Sequence, residues 1–322
     1  MFANYHYFLV FAEECNVSRA AERLYTSHQN LSKYLAKLEK ELGVSLFERK
    51  PTVSLTYEGK LLSETLRQVE TLEQDLHTRF DELRGKKGGE IRFGTTEGRF
   101  RILMPDILSE YKKEFPDVRL QIVSASSPDL QNMLLSNQLD LVVFAKPTRS
   151  SHFISYTEVL RERLYLVVSD NMLREYFGKD YPACKERMKH GCDLREFQKM
   201  PFALNMPAFN SSLMLKEHLR SINAELNCVH ESSHPDLHHM MSARDYAASF
   251  CLTMYLPELY DLTGENGASL NVFPISGLTQ TNPVVIGHLQ SRVFPEHTKA
   301  FVKLLRRQCR QFERYDLPDP SE

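Results

Sequence analysis

The stretch "SRAAERLYTSHQNLSKYLAKLEKELG", Ser18 to Gly43, restricts the folding of this chain more than any other segment. Its periodicity is helical throughout, yet the Thr26-Ser27 pair in its middle ends one helix and starts another. In the first helix Ser18 is placed as N-cap, and Ala20, Ala21 and Leu24 share one face; the small alanines allow a second helix to cross closely. Ser27 then caps a helix whose Leu31, Leu35 and Leu38 recur at i, i+4, i+7 and define a buried stripe. The opposite face carries Gln29, Lys33, Ala36, Lys37 and Lys40, flanked by Asn30 and Ser32, with no acid before Glu39. Such a pair of helices can place the second in a DNA major groove, its first turns against base edges. An ordinary helical hairpin with a solvated lysine face has the same spacing, so the next segment matters.

"LFERKPTVSLTYEG" (Leu46 to Gly59) reads as a short strand, a turn at Lys50-Pro51 and a returning Val53, Leu55 alternation. That is a wing. Arg49 and Lys50 put positive charge beside it, suited to phosphate or minor-groove contact, or else to solubilising the end of a hairpin.

From these residues the chain is similar to a known family. Residues 4 to 59 resemble the amino-terminal domain of the LysR-type transcriptional regulators through Phe8, Ala12, Ser18, Ala20, Ala21, Leu24, Ser27, Leu31, Ser32, Leu35, Leu38, Glu39, Glu41, Leu42, Gly43, Leu46 to Arg49, Leu55, Thr56 and Gly59. The sequence departs from the family at Ser27-His28-Gln29, where Ser-Gln-Pro or Ser-Gln-Ser is usual, and its wing is shorter and less basic. The resemblance implies double-stranded DNA as a partner, and the DNA-contacting set becomes Ser27, His28, Gln29, Asn30, Ser32, Lys33, Lys37, Arg49 and Lys50.

Composition agrees with local rather than global DNA affinity. The chain has 322 residues, a formal charge of −2 and 42% hydrophobic content, enough for two or three compact units but without a basic signature. The start lacks a secretory pattern and no run approaches the roughly 20 apolar residues of a membrane span, so the expectation is a cytoplasmic protein with no membrane partner. Six dispersed cysteines without a CxxC pair read as reduced thiols.

After Thr56, a candidate N-cap, Leu62, Leu66, Val69, Leu72, Leu76, Phe80 and Leu83 recur at spacings of three and four. One long amphipathic helix cannot bury that stripe on itself. It wants a partner, and the family resemblance makes it the linker helix of an antiparallel homodimer; packing on its own domain is the alternative. "RGKKGG" (Arg84 to Gly89) then reads as a hinge.

Beyond it "EIRFG", "RILMPDILSEYKKEF", "VRLQIVS", "PDLQNMLLSNQ" and "LDLVVFA" alternate strand and helix, as in an open α/β sheet. Ile91 to Ala145 is again similar to the LysR effector-binding domain. A second unit should begin near "RLYLVVS", with a return to the first around Asn271, a strand at "VVIGHLQ" and a terminal helix. The fold class expected is thus α plus α/β: a winged helix-turn-helix (1–58), a linker helix and hinge (59–87), and a two-lobed, periplasmic-binding-protein-like α/β effector domain (88–322). Lobe I would take 88–162 and 270–322, and lobe II 163–269.

A ligand belongs between the lobes, at strand ends. "GTTEGRFR" (Gly94 to Arg101) leads into a helix whose free N–H groups favour an anion, with Thr95 and Thr96 adding hydroxyls. The family resemblance puts Thr96 where an effector-contacting hydroxyl usually lies. Ser126 and Ser127 precede the next helix in the same way, and Asn205 to Ser211 would serve from the other lobe; each can also be a plain helix cap. Where many relatives have a Gly-x-Gly turn, this chain has Arg244-Asp245-Tyr246, which implies a narrower, more polar cleft or an unusual ligand. His230, His234, His238 and His239 recur at helical spacing, but Pro235 interrupts them and no acid or thiolate accompanies them, so no metal is assigned. Cys184 and Cys192 read as ordinary thiols rather than a redox switch.

The function these segments support together is a DNA-binding regulator, homodimeric and by resemblance tetrameric, responding to a small polar or anionic metabolite. A solute-binding module without DNA reading leaves the helix-turn-helix unexplained. An enzyme lacks its motifs: there is no GxSxG, P-loop or HExxH, and no cofactor is implied.

Overall fold

The computed structural model describes residues 4–48, 52–83, 88–265 and 269–317. Three short helices open the chain, α1 (His6–Glu14), α2 (Val17–Arg23) and α3 (His28–Leu42). Asn16, not Ser18, caps α2: its side chain accepts from Arg19 N–H, so the helix starts one residue ahead of Ser18. Ser27 caps α3 as expected, accepting from Asn30 N–H at 3.2 Å, and Gly43 at φ +70° closes it in the left-handed region that glycine adopts without strain. Leu31, Leu35 and Leu38 join Phe8, Phe11, Ala20, Ala21, Leu46 and Leu66 in one buried core. Two-residue strands β1 (Phe47–Glu48) and β2 (Ser54–Leu55) pair antiparallel and form the wing; the turn at Lys50-Pro51 lies outside the described residues.

The linker helix α4 (Tyr57–Leu83) begins at Thr56, whose hydroxyl accepts from Gly59 N–H at 3.0 Å. A Cβ on Gly59 would stand 1.9 Å from the Leu46 carbonyl oxygen, so only glycine lets the helix cross the wing this closely. The expected linker boundary therefore needs correction. Leu62 and Leu66 pack into the helix-turn-helix core, making the first turns of α4 part of that domain, whereas Leu72, Leu76 and Phe80 stand 51%, 50% and 46% exposed. The single stripe serves two purposes along its length. Most of the hinge "RGKKGG" falls on residues 84–87, outside the described residues.

Lobe I follows as β3 (Gly89–Thr95), α5 (Glu97–Glu114), β4 (Val118–Ser124), α6 (Ser127–Leu135), β5 (Leu141–Ala145) and β6 (Ile154–Glu162). Its sheet has the order β4-β3-β5-β12-β6, with β12 being Asn282–Leu289; the first three strands are parallel and β12 runs antiparallel to both neighbours. Fully buried Leu141 to Phe144 give β5 the continuous apolar run of a strand covered on both faces.

Lobe II contains β7 (Leu164–Ser169), α7 (Asp170–Phe177), α8 (Ala183–Met188), β8 (Pro201–Asn205), α9 (Asn210–Ser221), β9 (Asn227–Ser232), α10 (Pro235–Ser242), β10 (Ser249–Leu252), α11 (Leu256–Glu265) and β11 (Leu270–Pro274). The return to lobe I comes later than expected. β11, with Asn271 in it, pairs antiparallel with β7 along five residues, and Cys192 bridges Ile275, so lobe II keeps the chain through residue 275. The error arises because an apolar strand near a crossover has the same pattern on either sheet. After β12, helix α12 (Glu296–Arg310) buries Phe301, Leu304 and Leu305 against lobe I.

Candidate nucleic-acid interface and effector cleft

The exposed face of α3 is built by one cap and one stripe. With Leu31, Leu35 and Leu38 turned inward, His28, Gln29, Asn30, Lys33 and Lys37 are exposed and Ser32 is half-buried. Lys37 lies 3.7 Å from Glu41 on the next turn, which moderates its charge. Glu39 is occupied structurally: it accepts from Leu46 N–H at 2.7 Å and so pins the wing to the end of α3. Arg49 and Lys50 lie outside the described residues. One feature of this face was missed: Tyr25, in the turn between α2 and α3, is 99% exposed and sits at φ +52°. A bulky side chain in the left-handed region is strained, and the only sequence signal was an aromatic where a turn favours Gly or Asn.

The cleft residues separate into those that face it and those that do not. Thr95 is fully buried and donates its hydroxyl to Val143 O at 2.8 Å, so it belongs to the sheet and not to a ligand site. Thr96 precedes α5 without capping it; its hydroxyl accepts from Arg99 Nη1 at 3.3 Å. Ser126 caps α6 through Asp129 N–H, and Ser127 forms the first turn. The Thr96 and Ser126 turns are adjacent, since Ala125 N–H donates to Thr95 O at 3.2 Å. Asn205 Nδ2 donates to Ser211 Oγ at 3.1 Å, while its Oδ1 is buried without a partner. The space beside Asn205, Ser211, Ser212 and His238 is about 10 Å³, room for one water and too small for a metabolite.

Three residues the sequence did not single out form a buried polar floor beside the Thr96 turn. Arg99 donates from Nη2 to Glu162 Oε2 at 2.6 Å, and Asn282 Nδ2 donates to the same oxygen at 2.7 Å. Burial opposes the Arg99 charge, but the adjacent Glu162 carboxylate outweighs it and holds the guanidinium protonated. Arg99 Nε and Glu162 Oε1 are left buried without partners. The lobes meet above this floor: Asn210 Nδ2 donates to Asn282 Oδ1 at 3.2 Å and Lys146 O at 3.3 Å, and Arg101 pairs with Asp236. Arg99 was within reach of sequence reasoning, as a cation in the first turn after a strand end. Glu162 and Asn282 come from remote strands and carried no signal.

The Arg244-Asp245-Tyr246 turn, from which a narrower, more polar cleft or an unusual ligand was expected, is tied into lobe II. Asp245 takes hydrogen bonds from Ser169 and, at 2.8 Å, from Asn171, fastening the start of α7 within lobe II. The four histidines do not share a helix either: His230 is on β9, His234 precedes Pro235, which starts α10 rather than breaking it, and His238 Nε2 meets Ser232 Oγ at 2.8 Å. Among the described residues no group of three or more His, Cys, Asp or Glu is placed to hold a metal. Cys184 and Cys192 are buried in the lobe II core, and burial raises both thiols above their ordinary range, which suits packing rather than redox exchange. No described helix is long and apolar enough to cross a membrane.

The chain thus has the architecture of a winged helix-turn-helix joined by a long helix to a two-lobed α/β domain. Residues 2–60 match the family "Bacterial regulatory helix-turn-helix protein, lysR family", and residues 84–310 match "LysR substrate binding domain". The chain belongs to the LysR family, carrying that family's helix-turn-helix unit followed by its substrate binding domain. It is 33% identical over 133 residues to the transcriptional regulator CysB of Haemophilus influenzae, an alignment covering 41% of each chain. The match thus spans about two-fifths of that relative's length. The uncharacterized regulator YwbI of Bacillus subtilis is 24% identical, over 92% of this chain and 95% of its own. A full-length OxyR variant from Pseudomonas aeruginosa shares the fold with a TM-score of 0.60, at 20% identity, over 94% of this chain and 92% of that one.

Proposed function

We propose that α3 reads DNA with Gln29, Asn30, Ser32 and Lys33 in its first turns, that Ser27, His28 and Lys37 flank the contact, and that Arg49 and Lys50 of the wing meet phosphates. The observation that carries this reading is the exposed polar face of α3 directly opposite its buried Leu31, Leu35 and Leu38 stripe. The exposed Leu72, Leu76 and Phe80 of α4 support a homodimer through the distal half of that helix, with tetramers formed through the α/β domains. A gel shift against the DNA upstream of its own gene tests the assignment; retention of that DNA over a scrambled duplex is expected, and equal affinity for both overturns it.

The effector in this reading is a small polar metabolite bound between the lobes, with a carboxylate or similar acceptor at the Thr96 hydroxyl and the start of α5. Arg99 Nε requires an acceptor and Glu162 Oε1 requires a donor, so a ligand offering both suits the floor better than an apolar one. Entry parts the lobes at Arg101–Asp236 and Asn210–Asn282. A metabolite panel scored by thermal shift identifies it. Thr96→Val should then weaken the identified ligand by about fivefold or more while leaving operator binding without ligand intact; equal affinity by calorimetry removes Thr96 from the site.

A further inference from the structure

Arg67, midway along α4, holds two other bodies with one guanidinium. Its Nη2 donates to Glu13 Oε1 of α1 at 2.8 Å, and its Nη1 donates to the backbone carbonyl of Ser136, at the end of α6, at 2.9 Å. The side chain is 11% exposed, and Glu13 passes the connection on to Arg23 of α2 at 2.6 Å. One turn along, Glu70 Oε2 accepts from Asn137 Nδ2 at 3.4 Å. The same Asn137 is anchored from within lobe I, where Arg92 Nη1 donates to its carbonyl at 2.6 Å and Arg292 Nη1 to its Oδ1 at 3.2 Å. The C-terminal end of α6 is therefore fastened to the sheet on one side and to the linker helix on the other.

The other end of α6 begins at Ser126, beside the Thr96 turn at the cleft edge. Nine helical residues, roughly 13 Å, separate the cleft edge from the linker contact. Such a segment moves as a unit, because a helix is stiff along its axis and its packed side chains allow only discrete shifts. A guanidinium is a rigid planar fork, so a displacement of the Ser136 carbonyl also changes the hold on Glu13.

We propose that α6 is the rod that couples the effector cleft to the DNA-binding domain, and that Arg67 is the joint which converts its displacement into a change in the seating of α1 and α2. The biological meaning of this coupling rests on the cleft being the effector site. The test uses no ligand, so its failure and the failure of that assignment are distinguishable.

Hydrogen-exchange mass spectrometry on the full-length protein reads the coupling. Ser126→Ala removes the cap of α6 at its cleft end and is expected to speed exchange in residues 5–14 by about three- to tenfold, leaving residues 164–169 of lobe II unchanged. In an Arg67→Lys background the ammonium keeps a charge near Glu13 but cannot bridge both groups, and Ser126→Ala should leave residues 5–14 as they were. Equal acceleration in both backgrounds, or none in either, overturns the proposal. Asn137→Gly supplies a second background if Arg67→Lys does not fold: glycine suits the φ of +54° there and removes the contact to Glu70. It should at least halve the response, and an undiminished response counts equally against the coupling.

Discussion

Arg99, in the first turn of α5, and Glu162, the last residue of β6, meet at 2.6 Å with side chains 6% and 0% exposed. The pair stands where lobe I hands the chain to lobe II, so it ties the start of α5 to the crossover. Removing one partner leaves the other in a dry site, and Arg99→Met should cost about 3–5 kcal/mol of unfolding free energy. Arg99→Met combined with Glu162→Leu should recover much of that loss. Urea unfolding of the two single variants and the double variant decides; additive losses mean the two groups act independently.

Lys33 is exposed on α3 opposite the buried stripe. Lys33→Ala is expected to weaken specific DNA binding by about 1–3 kcal/mol and to relax preference at one position in each half-site. Fluorescence anisotropy with an operator and single-base variants measures both. A loss that is uniform across sequences, with a shallower salt dependence, would reassign Lys33 to a phosphate.

Leu76→Arg places a charge in the exposed distal stripe of α4. The dimer should weaken by several kcal/mol, because burying an unpaired guanidinium at a helix contact is costly. Sedimentation velocity of the variant is the check, and an unchanged dimer that still binds DNA means the contact lies on another surface.

His238 and His239 are both held down to about 4, from an ordinary 6.5, chiefly by burial, and for His238 also by His230 and His234. A folded-state value below the unfolded one favours the neutral ring. The resulting stability is whole above about pH 6.5 and is lost as the pH falls from there toward 4. The loss amounts to roughly 3 kcal/mol per ring. Denaturation between pH 7 and 4 should show this fall, and His239→Gln should flatten it; parallel curves for variant and wild type would place the titration elsewhere.

Tyr25 carries its strain in full view of solvent, at φ +52° and 99% exposed. Tyr25→Asn should raise stability by about 0.5–1 kcal/mol, since asparagine adopts this backbone more readily and no packing is lost. Weaker DNA binding in the more stable variant would show that the aromatic ring is kept for contact. If stability falls, the ring has a partner in solution.

What the sequence revealed was whatever repeats locally. The Ser27 cap, the Leu31/Leu35/Leu38 stripe and the strand-helix rhythm of lobe I each depend on neighbours within a turn or two, and each is where the periodicity put it. The second lobe was less legible because β11 could have joined either sheet, and only its pairing with β7 decides. The candidate site was half legible: the Thr96 turn and Arg99 lie in one short stretch, but Glu162 and Asn282 are brought to Arg99 by topology. Thr95 misled because a hydroxyl at a strand end looks the same whether it points outward or, as here, at Val143 O.

The lobes are joined by two passages, one from β6 to β7 and one from residue 275 to β12. Two straps side by side remove most of the ways in which two bodies can move relative to each other. The lobes are also fused through one apolar core, in which Tyr165, Val167, Met254 and Leu259 of lobe II join Phe93, Leu103 and Phe301 of lobe I, so a swing of one lobe on the other disturbs packing that both depend on. A molecule that parted the lobes at Arg101–Asp236 would have to do so against that shared core.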